Sequence, residues 1–349
     1  MKTQQAQLPA SYRAWVSTGS EQPLDLVLKQ QALPDLADDE VLIKNYAIGL
    51  NPVDWKVLSS QQGQVVGVDG AGVVVAVGTQ VDVALLGCRV AYHQNLQAQG
   101  SFAEYTPVKA YALLKLPDEL SWSQAAAIPC PALTAWQAIG KIPVQTDAEI
   151  LIAGAGGSVG HFLVQFAAQR GFQVTASCHP RHWQRLHGLG ATRCIADPVQ
   201  ADQSLHLSKK FYAVLDMVGS QHAEALSDAV LANGHLLCIQ GRVATWICSP
   251  FGRAISLHEV ALGALHQHGT LAQWQALTQV GEQIFMAIAT GELQAEVPLL
   301  QARFAELPQQ LQALKHRNFS GKQVIQMDDK QNFSELRGQN DSIIYALST

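Results

Sequence analysis

The 349-residue chain has little charge and no concentration of one sign. Asp, Glu, Lys and Arg make up 15% of it, the formal net charge is -5, and no basic block exceeds the pair Lys209-Lys210. That leaves no electrostatic footprint for nucleic acid or anionic headgroups. Cysteine is sparse and scattered: there are six, with no C-x-x-C, and the closest pair, Cys238 and Cys248, stands ten positions apart. Such spacing argues against a disulfide framework and against a cysteine-rich zinc lobe. Long apolar runs are missing too, since prolines or charges break them, and residues 1–12 contain no apolar signal core. These absences describe a cytoplasmic protein with no membrane partner that acts on a small molecule. What is present, 48% hydrophobic residues over this length, is enough for two domains with real cores.

The strict G-x-G-x-x-G spacing is also absent, but residues 149–160 run from Glu149-Ile150-Leu151-Ile152-Ala153 straight into Gly154-Ala155-Gly156-Gly157-Ser158-Val159-Gly160. A short apolar strand entering clustered glycines describes a tight strand-to-helix turn. There the chain takes positive φ, a phosphate approaches the backbone, and the first helical N–H groups face the anion. Val159, Phe162, Leu163, Phe166 and Ala167 then form a helical stripe, Gly171 closes it, and residues 173–178 read as a second strand. This is one βαβ half of a dinucleotide fold.

Past that second strand, the acid that would accept hydrogen bonds from a ribose 2′-OH is missing. Residues 177–185, Ser-Cys-His-Pro-Arg-His-Trp-Gln-Arg, contain no carboxylate. Arg181 and Arg185 offer charge and planar donor forks to a 2′-phosphate, with Ser177 and His179 as further donors, so the expected cofactor is NADPH.

Along the chain, short apolar or alternating runs at 41–48, 72–77, 89–92, 102–106 and 112–116 predict a β-rich first part. From about residue 125, strands at 150, 173, 194, 211 and 235 alternate with helices, one of them expected over 221–232 with Asn233-Gly234 as its stop. A helix near 279–289 and a strand at 323–327 follow.

Seven motifs occur in a familiar order: Gly49-Leu50-Asn51-Pro52-Val53-Asp54, Gly67-Val68-Asp69-Gly70-Ala71-Gly72, Gly100-Ser101-Phe102-Ala103-Glu104-Tyr105, Thr134-Ala135-Trp136, the glycine turn, Asp216-Met217-Val218-Gly219 and Gly321-Lys322-Gln323-Val324-Ile325. In these the chain resembles the medium-chain dehydrogenases/reductases, above all their zinc-free quinone oxidoreductase branch, from about residue 12 to 327. The resemblance implies an α/β architecture: a Rossmann-type parallel-sheet domain (126–265) inserted in a β-rich GroES-like domain built from both chain ends (1–125 plus 266–349). It also implies a cleft active site and a homodimer paired through sheet-edge strands near 235–240 and 255–260.

A catalytic zinc needs three protein ligands. Where zinc-dependent relatives carry their first cysteine and their His-Glu pair, this chain has Asn51 and Val68-Asp69; only Cys130 falls at a ligand-like position. No metal is therefore expected, and His258, His266 and His268, on an expected helix or its end, read as surface or core residues. Without a Lewis acid, reduction of an electrophilic quinone or α,β-unsaturated carbonyl is easier than alcohol oxidation. By resemblance, Asn51 lies beside the nicotinamide and the substrate oxygen with its amide N–H available to developing negative charge. Thr134 and Gly241 flank the nicotinamide, Val218 and Gly219 line the cofactor site, and Asn318 and Lys322 approach it from the closing segment. Tyr92 and His93 are either proton donors or ordinary loop residues. Trp55 is a stacking wall of the pocket or a core contact, and Cys130 a pocket thiol or an inert buried one. A zinc-dependent alcohol dehydrogenase and a non-catalytic NADPH-binding structural protein stand as alternatives.

Overall fold

The structure, a computed structural model, describes residues 8–317 and 319–327. The chain begins with strands β1 (Ser11–Val16), β2 (Val27–Ala32) and β3 (Glu40–Gly49), helix α1 (Pro52–Lys56), strands β4 (Asp69–Val77), β5 (Arg89–His93), β6 (Tyr105–Lys109) and β7 (Leu113–Lys115), and helix α2 (Trp122–Ala126). Helix α3 (Pro129–Gly140) leads into β8 (Glu149–Ala153), α4 (Ser158–Gln169), β9 (Gln173–Ser177), α5 (Trp183–Gly188), β10 (Arg193–Ile195), β11 (Phe211–Asp216), α6 (Ser220–Leu226), β12 (Val230–Cys238) and β13 (Ser256–Glu259). Helices α7 (Ala264–His268) and α8 (Leu271–Thr290), strand β14 (Leu299–Arg303), helix α9 (Leu307–His316) and strand β15 (Lys322–Gln326) complete it. Among the described residues no helix is long and apolar enough to cross a membrane.

Two compact units result. The first joins the chain up to Ala127 with most of the segment beyond Leu299. Its larger sheet has the order β14-β15-β3-β4-β5-β7, with β6 also on β3. Antiparallel pairing of β15 with β3, Val324 opposite Gly49, closes the sheet with strands from both chain ends, as the resemblance implies. β3 is buried almost throughout because it is covered on both faces, which is why it reads as a continuous apolar run and not an alternating one. Phe102 lies just outside β6: its N–H bonds the Val66 carbonyl and its own carbonyl accepts from Trp15. The strand expected from 102 therefore starts only at Tyr105. The ring of Phe102 is fully buried in the core with Phe304, Leu307 and Ile325, and burying such a ring contributes about 1.5–3 kcal/mol.

The second unit holds a six-stranded sheet of order β10-β9-β8-β11-β12-β13, and all five pairings are parallel. Counted within the unit, this is the doubly wound order 3-2-1-4-5-6, in which strand order reverses between β8 and β11 and opens a crevice at their carboxyl ends. The helix expected over 221–232 stops at Leu226, and residues from Val230 form β12 instead. Asn233, with φ of 58°, sits inside that strand, where the pairing with β11 shifts register, and is not a helix stop. His258 likewise belongs to β13 and not to a helix. This unit extends to Pro298, beyond the boundary at 265 that the resemblance implies, because α8 packs on α3.

Candidate active site

The glycine turn lies where strand order reverses. Gly154 closes β8 with φ of 76°, and its N–H and that of Ala155 both bond the Ser177 carbonyl at the end of β9, each at 3.0 Å. The four glycines do different things. A Cβ on Gly160 would meet the Ala155 carbonyl oxygen at 2.3 Å, so its absence lets α4 pack on the turn; a Cβ on Gly157, the N-cap of α4, would meet nothing within 4 Å. Open space over the first turn of a helix, with its N–H groups and partial positive charge, fits an incoming phosphate. Ser158 and Val159 supply that first turn. Across the reversal point, Val218 and Gly219 follow β11, with Val218 Cγ2 3.2 Å from where a Gly154 Cβ would be.

Beyond β9, His179 and Arg181 are exposed and Ser177 is buried. Arg181 donates from Nε to His182 Nε2 at 3.1 Å. Arg185, the other cation expected at a 2′-phosphate, is committed elsewhere: Nη2 donates to the Gly156 carbonyl at 2.7 Å and Nη1 lies 3.0 Å from His161 Nδ1. His161 in turn bonds the Gln294 carbonyl through Nε2 at 2.6 Å, which assigns the proton to Nε2 and the lone pair to the arginine. Burial, ahead of the neighbouring arginine, lowers the His161 pKa. Burial first, then Arg185 and Arg181, pushes His182 down to about 4. Both imidazoles are therefore neutral at pH 7, and the positive charge beside the turn belongs to the two arginines. Arg185 is a brace for the glycine turn, and Arg181 is the exposed cation beside the end of β9.

Of the remaining residues expected at a cofactor, Gly241 follows β12 close to the start of α6, its missing Cβ 3.2 Å from the Ser220 nitrogen. Thr134 is buried on α3, and Lys322 is buried at the start of β15, its N–H bonding the Pro298 carbonyl. Asn318 lies outside the described residues. Cys130 is half-buried in the first turn of α3.

The first unit, taken by itself, holds a buried polar chain. Asn51 caps α1, where Pro52 at the first helical position favours a start, and its backbone N–H donates to Asp54 Oδ2 at 2.7 Å. Asp54 Oδ1 accepts from the Val68 N–H at 3.1 Å, tying this corner to the entry of β4. One residue on, the fully buried Asp69 accepts from Asn51 Nδ2 at 2.9 Å through one oxygen and pairs with His93 Nδ1 at 3.0 Å through the other. Asn51 Nδ2 also donates to the Gly49 carbonyl at 3.3 Å. Its two amide protons are thus engaged inside the protein, which corrects the expectation that they face a substrate oxygen. Asp69 holds both the amide and the imidazole in fixed orientations. His93 is well placed for acid–base work, with the orientation of its ring fixed by the carboxylate at Nδ1.

Tyr92 is a correction of a different kind. It is fully buried, its hydroxyl donates to Asn45 Oδ1 at 2.9 Å, and burial, more than any other cause, raises its pKa far above the ordinary tyrosine value. It is a core residue and not a proton donor. Trp55 is half-buried and packs against the core of the first unit, with the ammonium groups of Lys56 and Lys315 each 5.7 Å from its ring. Asp69 as the partner of both Asn51 and His93 escaped the sequence reading; the one local signal was an acid isolated among small and apolar residues. Asp54 had a stronger one, the N-cap spacing Asn51-x-x-Asp54.

Comparison with known proteins gives three concordant results. Residues 37–118 match the alcohol dehydrogenase GroES-like domain. The chain is 33% identical over 253 residues to the 2-methylene-furan-3-one reductase of Solanum lycopersicum, an alignment covering 68% of this chain and 64% of that one. It is 30% identical over 237 residues to the chloroplast envelope quinone oxidoreductase homolog of Arabidopsis thaliana, covering 62% and 71%. Among solved structures, the quinone oxidoreductase of Pseudomonas syringae pv. tomato DC3000 superposes with a TM-score of 0.76 at 25% identity, covering 90% of this chain and 99% of that one. Against the first curated relatives it matches, the chain spans about half to just under two thirds of their length.

Proposed function

The chain belongs to the medium-chain dehydrogenase/reductase superfamily, in its quinone-oxidoreductase-like branch, and from that premise we propose that it is an NADPH-dependent reductase of quinones or α,β-unsaturated carbonyls that works without a metal. The observation that carries the cofactor choice is the end of β9, where residues 177–185 offer the exposed Arg181 and no carboxylate. When bound, NADPH supplies a hydride to the electrophilic carbon of the acceptor. The protein's own part is to cradle the diphosphate on the turn at Gly154–Gly160, hold that turn rigid through Arg185, and manage the proton. His93, backed by Asp69 at Nδ1, hands a proton from Nε2 to the oxygen or carbon that becomes electron-rich. Asp69 fixes the ring so that Nε2 keeps one direction during transfer. Asp69 engages His93 with one oxygen and Asn51 with the other, which keeps the two side chains in register with each other. We further read the active form as a cytoplasmic homodimer paired through β13, the strand at one end of the six-stranded sheet, since an unpaired edge strand invites cover.

The test is NADPH oxidation followed at 340 nm with a panel of quinones, enones and enals, before and after exhaustive chelation. Turnover that survives chelation supports the reading. Loss of turnover on chelation with recovery on adding zinc, or no turnover with any acceptor, overturns it.

A further inference from the structure

At the carboxyl end of β11, opposite the glycine turn, stands a second buried carboxylate with its own histidine. Asp216 is fully buried. Its Oδ2 accepts from the N–H groups of Val218 and Gly219 at 3.2 and 2.9 Å, and so shapes the turn that faces Gly154. The same turn is tied to β8 by the Met217 N–H on the Ala153 carbonyl at 3.1 Å. Oδ1 of Asp216 lies 2.5 Å from His222 Nδ1 on α6, while His222 Nε2 lies 3.0 Å from Asp197 Oδ1, on the segment after β10. Both ring nitrogens therefore point at carboxylate oxygens. A neutral imidazole donates from only one nitrogen and would turn a lone pair toward the other carboxylate; the geometry is that of an imidazolium.

We propose that His222, held as an imidazolium between Asp216 and Asp197, is a positioning residue for the cofactor, neutralising the buried carboxylate that shapes the 217–219 turn so that an anionic dinucleotide can bind beside it. The proposal rests on the reading of the crevice as an NADPH site. Without that proton the cluster gains a full negative charge at the point where strand order reverses, and a buried carboxylate left without its counterion is costly. Burial by itself would lower the His222 pKa, but the hydrogen bonds to Asp197 and Asp216 outweigh it and hold it up to about 9. The hydrogen bond from His222 likewise overcomes burial to keep Asp197 below its ordinary value. From β12, Cys238 is the other titratable group near Asp216; burial, with Asp216 adding to it, raises that thiol. Glu224, on α6, accepts from the Ala244 N–H. A change in cofactor affinity over pH 7.5 to 9.5 that disappears in His222→Gln reports His222.

The experiment is fluorescence titration of NADPH from pH 7.5 to 9.5 on the full chain and on His222→Gln, with nitrogen-15 imidazole spectra of the unmutated protein assigned by comparison with the variant. We expect the unmutated Kd to rise about three- to fourfold across the window, which is what loss of the proton from a group titrating at about 9 allows. The variant is expected to be about tenfold weaker at pH 7.5 and flat, and the His222 ring doubly protonated at pH 8. A neutral tautomer at pH 8, or tight binding whose affinity is pH-independent, overturns this inference alone. Pronounced pH dependence without turnover on any acceptor leaves it standing and removes the reductase reading; no binding of NADPH at any pH removes both.

Discussion

Two alanine substitutions three residues apart separate what the glycine turn does for the fold from what it does for a ligand. In Gly160→Ala the new methyl would lie 2.3 Å from the Ala155 carbonyl oxygen and 2.6 Å from its carbonyl carbon and Cα. All three are backbone atoms of the turn, so relief requires moving α4 off β8; overpacking of this kind costs about 1–3 kcal/mol. In Gly157→Ala the methyl meets nothing within 4 Å, and the backbone, with φ of -88°, already suits alanine. The unfolded chain loses entropy, a gain of about 0.4–1 kcal/mol. Alanine is a poorer N-cap than glycine by a similar amount, so the net change in stability is within about 1 kcal/mol of zero. The ligand sees the reverse. A methyl at 157 fills the space over the first N–H groups of α4, and losing even one charge-assisted contact there costs at least about 1.4 kcal/mol, or tenfold in Kd. Urea unfolding followed by far-ultraviolet circular dichroism and NADPH titration on both variants provide the readout. Gly160→Ala should lower the midpoint, and Gly157→Ala should leave it in place while weakening NADPH at least about tenfold. If Gly157→Ala lowers the midpoint as much as its neighbour, or binds NADPH normally, the assignment of that open space to a phosphate is wrong.

Other expectations follow from the same geometry. The unmutated protein should prefer NADPH to NADH by at least about tenfold in Kd, or about 1.4 kcal/mol, and Arg181→Ala should remove most of that preference; equal constants for the two cofactors in the unmutated protein refute the 2′-phosphate assignment. Arg185→Ala, by contrast, should weaken both cofactors together, because its bond to the Gly156 carbonyl braces the turn they share, and a selective loss of NADPH alone would contradict that role. With an enone as acceptor, His93→Phe should lower kcat by about 10²-fold and Asp69→Asn by somewhat less, with NADPH Kd unchanged; unaltered kcat in both removes the proton-transfer assignment. Folding stability should decline as pH rises from about 6.5, the ordinary histidine value, through about 9, because a group whose pKa is raised in the folded state stabilises fully only below its unfolded value. The decline should be absent in His222→Gln, and a parallel profile in that variant would assign the effect to another group.

The sequence by itself determined the features whose physical demands are local. Gly154, needing positive φ, announces the turn; the 3.6-residue stripe from Val159 announces α4; and the absence of acid over 177–185 is a property of the string alone. Strands alternating with helices identified the parallel sheet, and a strand near residue 324 was legible before its partner β3 was known. Tertiary structure decided whatever depends on residues far apart in the chain. Asp69 and His93 meet because β4 and β5 pair in register. Asp197 and His222 meet because the segment after β10 comes back to α6. Arg185 looked like a phosphate ligand until its fork was found on Gly156 and His161. Tyr92 and His93, adjacent on a strand buried on both faces, could not be told apart by alternation, yet one hydroxyl is locked on Asn45 and the other ring on Asp69. The expected helix over 221–232 failed for the same reason: its second half has helical composition, but Val230 pairs with Phe211, and burial in a sheet outweighs the few tenths of a kcal/mol per residue by which propensity favours a helix.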